Sequence, residues 1–358
     1  MATLGILYSR PGQEENYFTE LGKKSKDYDI KVVRFMPENV EPHSQTIFGE
    51  EFDRRTQSWE KKQFPPPDYI YDRCFYSSRQ KLLHMKPSIN WLKECTTFIG
   101  NGFRNKMEVY MAVSADEKLA SFVPHTTFVE SIETIFNKLT NKTAILLKPN
   151  QGSQGTGICK IVKKSHTFTV SYQKTGRVIH RNFHSKAQLK SWLDKYILTV
   201  PYLMQPYLRL NTPENQPFDL RIVMQKKACD EWAVQGKGLR ISTPGNLVSN
   251  LHSGGSVFNY KEWVWKHPYK DQIESSINII EQELPGLLDK KLGPLFEIGI
   301  DIGIEPEGRV WLLEVNSKPG HQVLLSTNRK TSTILYDAPL QYCALLEDKR
   351  KERQSNEA

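Results

Sequence analysis

The sequence is poor in cysteine and shows no cysteine pattern. Its five cysteines, among 358 residues, form no C-x-x-C pair and no spacing typical of a zinc site. A disulfide framework usually rests on an even set of cysteines at regular spacing. The odd and scattered set argues against a disulfide-stabilised secreted fold and predicts a reducing compartment.

Long apolar runs are missing as well. No run approaches the ~20 residues that a helix needs to cross a bilayer, and the N-terminus has no basic region followed by an apolar core of signal-peptide length. We therefore predict a cytoplasmic protein without a membrane span.

Several familiar nucleotide-binding and nucleic-acid-binding signatures are absent. The glycine-rich segment 152–157 is not followed by the Gly-Lys-Ser/Thr of a Walker A loop, and a strand is predicted after it where a Rossmann motif requires a helix. Basic and aromatic residues form no known nucleic-acid-binding motif. We predict no nucleic-acid partner.

What the chain does have is length and an excess of positive charge. With 358 residues it can bury a sizeable core and divide into two or three domains. Lys and Arg number 49 against 40 Asp and Glu, a formal net charge of +9. This excess, which we interpret as spread over the chain, favours acidic partners such as nucleotide phosphates or carboxylate substrates.

The segment 295–320 predicts a hairpin that carries a metal site. Two apolar, β-rich stretches are joined by a Glu-Pro-Glu-Gly turn. Asp301 interrupts the first stretch, while Glu314 and Asn316 share one face of the second. Two carboxylates and an amide oxygen suit Mg²⁺ that also binds substrate phosphates. An ordinary half-exposed hairpin is the alternative, but two acids inside apolar strands are costly to desolvate without a cation.

A second stretch predicts a phosphate-binding loop. An apolar strand ends at Lys148 and enters a loop with three glycines, after which apolar residues return. Glycines let the backbone approach a ligand, and exposed N–H groups with the hydroxyls of Ser153 and Thr156 can contact phosphate oxygens. A flexible hairpin is the alternative for this loop taken alone.

Three further candidate ligand contacts are each weaker when taken alone. Lys106 begins a predicted helix, residues 205–207 end an apolar strand that can face an adenine ring, and Asp219 and Arg221 share one strand face. Arginine binds phosphoryl and carboxylate groups bidentately, although an ordinary ion pair is the alternative.

Residues 1–95 predict a small α/β unit of the βαβ kind. Asp72 and Arg73 lie at the end of its third strand, where α/β folds tend to bind ligands. A surface Asp–Arg pair is the alternative.

In this order the motifs resemble the ATP-grasp ligases, and within them the YheC/YheD type, a group associated with the coat of bacterial endospores. The segments that carry the resemblance are PFDLRIVMQK, NLHSGGSV and GIDIG…WLLEVNSKPG. The resemblance covers nearly the whole chain and is least marked over residues 1–95.

The resemblance implies an α/β N-terminal domain followed by an α+β ATP-grasp fold, whose two subdomains clasp ATP between antiparallel sheets. We place the N-terminal domain at residues 1–97, the small subdomain with the glycine-rich loop at 98–200 and the large subdomain with the metal site at 201–346. A charged, flexible tail is expected at 347–358.

It also implies ATP and Mg²⁺ as cofactors, with Mn²⁺ as the alternative metal. The implied ATP contacts are Lys106, Lys148, Gly152, Ser153, Gly155, Thr156, Gly157, Gln205, Pro206 and Tyr207. The implied metal ligands are Asp301, Glu314 and Asn316, and the implied catalytic or acceptor-side residues are Arg221, Arg240, Asn250 and His252. The acid that usually binds ribose is not clearly placed, and Glu214 is its candidate.

The implied activity is ADP-forming carboxylate–amine ligation through an acyl phosphate, linked to sporulation. Two alternatives stay open: an ATP-binding structural protein of the spore coat without turnover, and a kinase on the same fold. The implied partners are small-molecule or peptide carboxylates and amines, together with spore coat proteins. The implied location is the cytoplasm of the mother cell, with association with the spore coat.

Overall fold

The computed structural model describes residues 1–75, 79–103, 105–141, 143–152, 155–174, 177–197, 200–247, 249, 255–327 and 329–357. Within these residues the strands form three sheets, which follow one another along the chain.

The N-terminal part of the chain forms the first sheet. Its elements are β1 (Ala2–Leu7), α1 (Glu15–Lys24), β2 (Ile30–Phe35), β3 (Val40–Glu41), β4 (Thr46–Asp53), β5 (Ser58–Phe64), β6 (Tyr69–Asp72), α2 (Arg79–Cys95) and β7 (Thr97–Phe98). The strand order is β3-β4-β2-β1-β6-β7, with β5 paired to β4. Because β1 pairs in parallel with β2 across α1, the predicted βαβ unit is confirmed.

The strand order reverses at β1. Its two neighbours, β2 and β6, lie on opposite sides, and both pair with it in parallel. The carboxyl ends of β1 and β6 therefore flank the crevice in which open α/β sheets bind ligands. Asp72 and Arg73 lie at this edge of the sheet.

The second sheet is antiparallel. Its elements, after α3 (Lys106–Ser114), are β8 (Thr127–Phe128), α4 (Ile132–Lys138), β9 (Ala144–Pro149), β10 (Cys159–Lys164), β11 (Thr167–Lys174), β12 (Arg177–Phe183), α5 (Lys186–Tyr196) and β13 (Tyr202–Pro206). The order is β12-β11-β10-β9-β13-β8. Ile161 and Val170 on one face pack with Leu189 and Leu193 of α5 in a core of their own.

The third sheet contains the predicted hairpin. Its elements are β14 (Phe218–Lys226), β15 (Trp232–Ile241), β16 (Ser256–Asn259), α6 (Tyr260–Trp265), α7 (Lys270–Leu292), β17 (Glu297–Ile304) and β18 (Val310–Asn316). The order is β16-β15-β14-β17-β18, and β17 pairs antiparallel with β18, which confirms the hairpin. Gly308 turns the chain with a φ of 80°, a conformation that favours glycine.

Helix α7 covers one face of this sheet. Ile273, Ile277, Ile280, Leu284 and Leu288 recur every three or four residues and are fully buried against the sheet. Such a stripe is the apolar face of an amphipathic helix, and each buried side chain stabilises the fold by roughly 1.5–3 kcal/mol.

The chain ends with α8 (Gln322–Thr327) and α9 (Arg329–Glu357). The expectation of a flexible tail from residue 347 is wrong, because α9 continues to Glu357. Around residues 347–350 the helix contacts β6 and the residue before it: Tyr69 donates to Glu347 at 3.0 Å and Arg350 to Asp68 at 3.0 Å. Residues 351–356 beyond these contacts are exposed. In the described part of the chain, none of the helices combines the length and apolar character needed to cross a bilayer.

Candidate functional site

A cleft lies between the second sheet and the β17–β18 hairpin. Its polar lining comes from four elements: Lys106 at the start of α3, Lys148 near the end of β9, Gln205 on β13 and Glu314 on β18. Its apolar walls come from both sides, with Val109, Val113, Leu203, Leu312 and Val315 among the lining residues. Two lysines, an amide and a carboxylate thus face a slot with apolar walls, an arrangement typical of small-molecule sites.

Lys106 is placed by the first turn of α3. The Asn105 side chain caps the helix by accepting a hydrogen bond from the Glu108 N–H at 2.9 Å, which starts the helix at Lys106. The Lys106 ammonium then donates to Glu314 Oε1 at 2.6 Å. This ion pair joins two of the predicted site residues directly.

Lys148 connects the second sheet to the hairpin across the cleft. Its ammonium donates to the Leu313 carbonyl at 3.4 Å. The pKa of Lys148 is lowered to about 8, because burial disfavours the ammonium; Glu314 partly opposes this shift and Lys106 adds to it. An anion in the cleft would favour the charged ammonium, as a phosphate does beside a lysine.

Asp301 is held by two arginines. Arg221 on β14 donates through Nε to Oδ1 and through Nη2 to Oδ2, the latter at 2.9 Å, and Arg240 on β15 pairs with Oδ1 at 2.8 Å. Arg240 also forms a bidentate pair with Asp219, at 2.6 and 2.5 Å. The four buried or nearly buried groups balance two positive charges against two negative ones.

The pKa values of the two carboxyl groups in this network are shifted in opposite directions. Burial opposes ionisation of Asp301, but Arg221 and Arg240 together hold its pKa below the usual range. Burial raises the pKa of Asp219, which the contact with Arg240 only partly offsets. Asp301 is therefore the carboxylate of the pair that stays ionised most readily.

The hairpin register brings the predicted metal ligands to one region. Asp301 lies opposite Glu314, and Asn316 lies opposite Gly299, two residues before Asp301. Two carboxylates and an amide oxygen are hard donors that fit Mg²⁺, which is usually held by one or two carboxylates and completed by phosphates and waters. No group of three or more His, Cys, Asp and Glu that could bind a metal occurs among the described residues.

Gly299 leaves room for this arrangement. A Cβ placed there would lie 3.1 Å from Arg221 Nη1 and 2.6 Å from the Pro319 side chain. The glycine therefore lets Arg221 reach Asp301 across the sheet while the segment after Asn316 packs closely beside it.

The glycine-rich loop joins β9 and β10, so the predicted strand–loop–strand arrangement is confirmed. Gly152, Gly155 and Gly157 have φ angles of 117°, 71° and 78°, which favour glycine. Thr156 is exposed. Ser153, Asn250 and His252 lie outside the described residues.

Not all predicted contacts line the cleft. Gln205 does, and its amide nitrogen donates to Thr126 Oγ1 at 2.6 Å. Pro206 and Tyr207 are not among its described lining residues, and the Tyr207 ring instead lies 3.6 Å from the Lys160 ammonium. Glu214, the ribose candidate, is exposed in the turn between β13 and β14.

The Asp72–Arg73 surface pair considered from the sequence is not present. Asp72 pairs with Lys318 at 2.6 Å, whereas Arg73 is fully buried and pairs with Glu14 at 2.5 Å and Glu297 at 2.5 Å. Arg73 also donates to the Pro319 carbonyl at 2.9 Å.

These contacts tie the first sheet to the segment that follows Asn316. Glu14 and Glu297 were not recognisable from the sequence as partners of Arg73, nor His321 as the partner of Glu297 at 3.1 Å, because these residues are far apart in the chain. The sequence feature that pointed to this region was Arg73, which follows β6 at the edge where the strand order reverses.

Three comparisons bear on these features. A family model described as YheC/D-like ATP-grasp matches residues 95–346. The Endospore coat-associated protein YheC of Bacillus subtilis (strain 168) is 33% identical over 352 residues, which cover 97% of this chain and 96% of that protein.

Solved structures with a similar fold include D-cycloserine synthetase DcsG, with a TM-score of 0.56 and 9% identity over 95% of this chain and 99% of that chain. The D-alanyl-alanine synthetase A of Vibrio cholerae O1 biovar eltor has a TM-score of 0.55 and 11% identity over 97% of this chain and 99% of that chain. At these identities the likeness establishes the ATP-grasp fold.

Proposed function

Because the chain belongs to the YheC/D-like ATP-grasp family, we propose that it is an ATP- and Mg²⁺-dependent, ADP-forming carboxylate–amine ligase. The observation that carries the proposal is the hairpin register that places Asp301 opposite Glu314, with Arg221, Arg240 and Lys106 in direct contact with these two acids. Acidic and basic groups then meet on the hairpin and the strands beside it, with Lys106 and Glu314 lining the cleft, and transfer of a phosphoryl group uses such charged groups.

The proposed reaction has two steps. An oxygen of the substrate carboxylate attacks the γ-phosphorus of ATP, the bond from that phosphorus to the bridging oxygen breaks, and ADP leaves. The amine nitrogen of the second substrate then attacks the acyl carbon, the bond to the phosphate oxygen breaks, phosphate leaves and the nitrogen loses a proton. The chain supplies no covalent nucleophile in this scheme.

Each of the charged groups described above has a role in this scheme. Lys106 and Lys148 bind the phosphates of ATP, and Arg221 and Arg240 stabilise the charge on the transferred phosphoryl group. Asp301, Glu314 and Asn316 would hold Mg²⁺, which would neutralise charge on the phosphates. Gln205 and the apolar walls position the base.

ATP binding requires the cleft to widen. Its volume is about 40 Å³, whereas pockets for ligands of drug size hold about 300–1,000 Å³. The hydrogen bond from Lys148 to the Leu313 carbonyl spans the cleft and would break on opening. Movement of the second sheet relative to the hairpin is thus part of the proposed cycle.

A second candidate function is ATP binding in the spore coat without turnover. Both oxygens of Asp301 accept from arginine, which favours this candidate because a metal would have to share or displace those contacts. The description of YheC as endospore coat-associated supports a link with the coat for either candidate. We place the protein in the cytoplasm of the mother cell and in association with the coat.

The test is release of ADP and phosphate from Mg-ATP, with and without pools of amino acids, short peptides and cell-wall precursors. The variant is Glu314→Gln, and the matched control is Glu307→Gln at the exposed turn of the same hairpin. The proposal expects one pool to stimulate release in the parent and the control but not in Glu314→Gln.

Product masses separate the candidates. A ligase product has the mass of two substrates minus water, whereas a kinase product gains a phosphate. ATP binding that depends on Mg²⁺, without release from any pool, would favour the coat protein without turnover.

A further inference from the structure

The excess of positive charge is concentrated in one part of the chain, so the interpretation of a diffuse excess is wrong. Residues 134–193 contain eleven Lys and Arg and no Asp or Glu, which leaves 38 basic and 40 acidic residues in the rest of the chain. The remainder is therefore close to neutral. The whole excess belongs to the second sheet and its helices.

Part of this charge lies around β12, at the edge of the second sheet. Arg177 and Arg181 are exposed on β12 itself, and Lys164 is exposed at the end of β10. Lys163 lies opposite Phe168, which lies opposite Phe183 of β12, so the end of β10 and the end of β12 share one end of the sheet.

Exposed Lys186, at the start of α5, follows β12 by a few residues. We name Lys163, Lys164, Arg177, Arg181 and Lys186 the cationic edge.

The cationic edge is not neutralised by the chain itself. Among the described residues of 134–193, the only ion pair is that of Lys190 with Glu133, at 2.7 Å, outside the cationic edge. The Arg181 guanidinium lies 5.9 Å from the centre of the Tyr172 ring and the Lys186 ammonium 4.7 Å from that of Phe136, so these two charges contact aromatic faces, and both residues are exposed.

The backbone of β12 is open on one side. In the described sheet β12 is the terminal strand and pairs with β11 alone. A terminal strand presents unpaired N–H and C=O groups that an extended peptide can bind as an added strand. Charged side chains on an edge strand guard it against aggregation, but the charge here extends beyond β12 to Lys163, Lys164 and Lys186.

The chemistry favours an acidic peptide over a nucleic acid. Single-stranded nucleic acids stack their bases on exposed aromatic rings, but the exposed side chains of β12 are Arg177, His180, Arg181 and Asn182. An extended chain with acidic side chains matches both the open backbone and the positive charge.

We propose that β12 and the cationic edge bind an extended, acidic segment of a partner protein, which adds to the second sheet as a further strand. The surface is a docking site apart from the cleft, and the proposal does not depend on turnover of ATP.

The test uses a fluorescein-labelled peptide of alternating Glu and Val, with binding to the full chain followed by fluorescence anisotropy. Arg177→Glu/Arg181→Glu is the variant, and Lys290→Glu/Lys291→Glu, exposed at the end of α7, is the matched control. We expect the β12 variant to weaken binding about tenfold or more and the control to leave it within about twofold, since opposed charge acts at short range in salt.

A second experiment uses the unaltered protein, so the test remains decisive even if the variant folds poorly. The same peptide with Pro in place of Val keeps its charge but loses the N–H groups needed for strand pairing, so it should bind about tenfold more weakly. Arg177→Gln/Arg181→Gln adds a milder change, which should weaken binding of the Glu–Val peptide by a smaller factor.

Equal binding of the two peptides would overturn the proposal, as would unchanged binding by a folded Arg177→Glu/Arg181→Glu variant. Tighter binding of a single-stranded oligonucleotide of the same charge would overturn it in favour of a nucleic acid.

Discussion

Asp301 and Glu314 lie directly opposite each other in the β17–β18 ladder, yet different cations bind them: Arg221 and Arg240 contact Asp301, and Lys106 contacts Glu314. Directly opposed like charges destabilise a sheet. The separate cations offset that cost by neutralising each carboxylate with its own partners. Because each carboxylate has its own cations, substitution of one cation measures its contribution to stability separately.

Replacement of Arg221 tests the buried half of this arrangement. Arg221→Met should lower the free energy of unfolding by about 3 kcal/mol or more, because it leaves a buried carboxylate with one cation fewer. Arg209→Met, which removes an exposed pair with Glu307, should cost at most about 1 kcal/mol. Urea unfolding of both variants measures the difference. Similar losses would show that Arg221 does not balance the charge of Asp301.

Substitution of Gly299 tests whether stability and ATP binding depend on the placement of Arg221. Gly299→Ala brings a Cβ into conflict with Arg221 and Pro319, so we expect a loss of about 1–3 kcal/mol of stability and weaker Mg²⁺-dependent ATP binding. In Gly286→Ala the added Cβ has nothing within 4 Å inside α7, and it should be neutral or stabilise by up to about 1 kcal/mol. Calorimetric titration with ATP, beside thermal unfolding, compares the two. Unchanged ATP affinity in Gly299→Ala would mean that ATP binding does not require the placement of Arg221.

Lys148 predicts a pH dependence of ATP affinity. Its pKa of about 8 means that the ammonium is charged below that pH and loses its proton as the pH rises through it. Phosphate binding favours the charged form, so ATP affinity should fall between pH about 7 and about 9. Lys148→Arg stays charged throughout and should flatten the profile. A parent profile that is already flat, or that rises with pH, would contradict the assignment.

Glu297 predicts a pH dependence of stability. Burial alone raises its pKa, but Arg73 and the contacts with His321 and Gln225 lower it to about 2. A carboxyl group with a folded-state pKa below its unfolded value of 4.5 stabilises the fold fully above that value. The stabilisation, about 3 kcal/mol, is lost as the pH falls towards 2.

Unfolding in urea between pH about 6 and about 2.5 measures this slope. Glu297→Gln should unfold more easily at neutral pH yet show a shallower fall in stability on acidification. Glu307→Gln, exposed in the turn after β17, should keep the slope of the parent. Parallel slopes for the parent and Glu297→Gln would exclude a large pKa shift at this residue.

Much of the fold was accessible from local pattern. Alternation of apolar residues with a Pro/Gly turn predicted the β17–β18 hairpin, and the spacing around α1 predicted the parallel β1–β2 pair. The period of two also placed Glu314 and Asn316 on one face. These features follow from local sequence patterns, for which backbone geometry leaves few choices. The C-terminal helix could not be predicted from local pattern, because contacts with the distant residues Asp68 and Tyr69 hold this charged segment in place.

The sequence by itself determined the residue types of the site, their order and the strands that carry them. Only the tertiary structure decided their partners. Arg221 lies 80 residues from Asp301, and Arg73 lies 224 residues from Glu297. The sheet order and the packing of the first sheet bring these pairs together, and a spacing pattern along the chain carries no information about either. The burial that lowers the pKa of Lys148 and the contact with Arg73 that lowers the pKa of Glu297 likewise arise only when the sheets pack against one another.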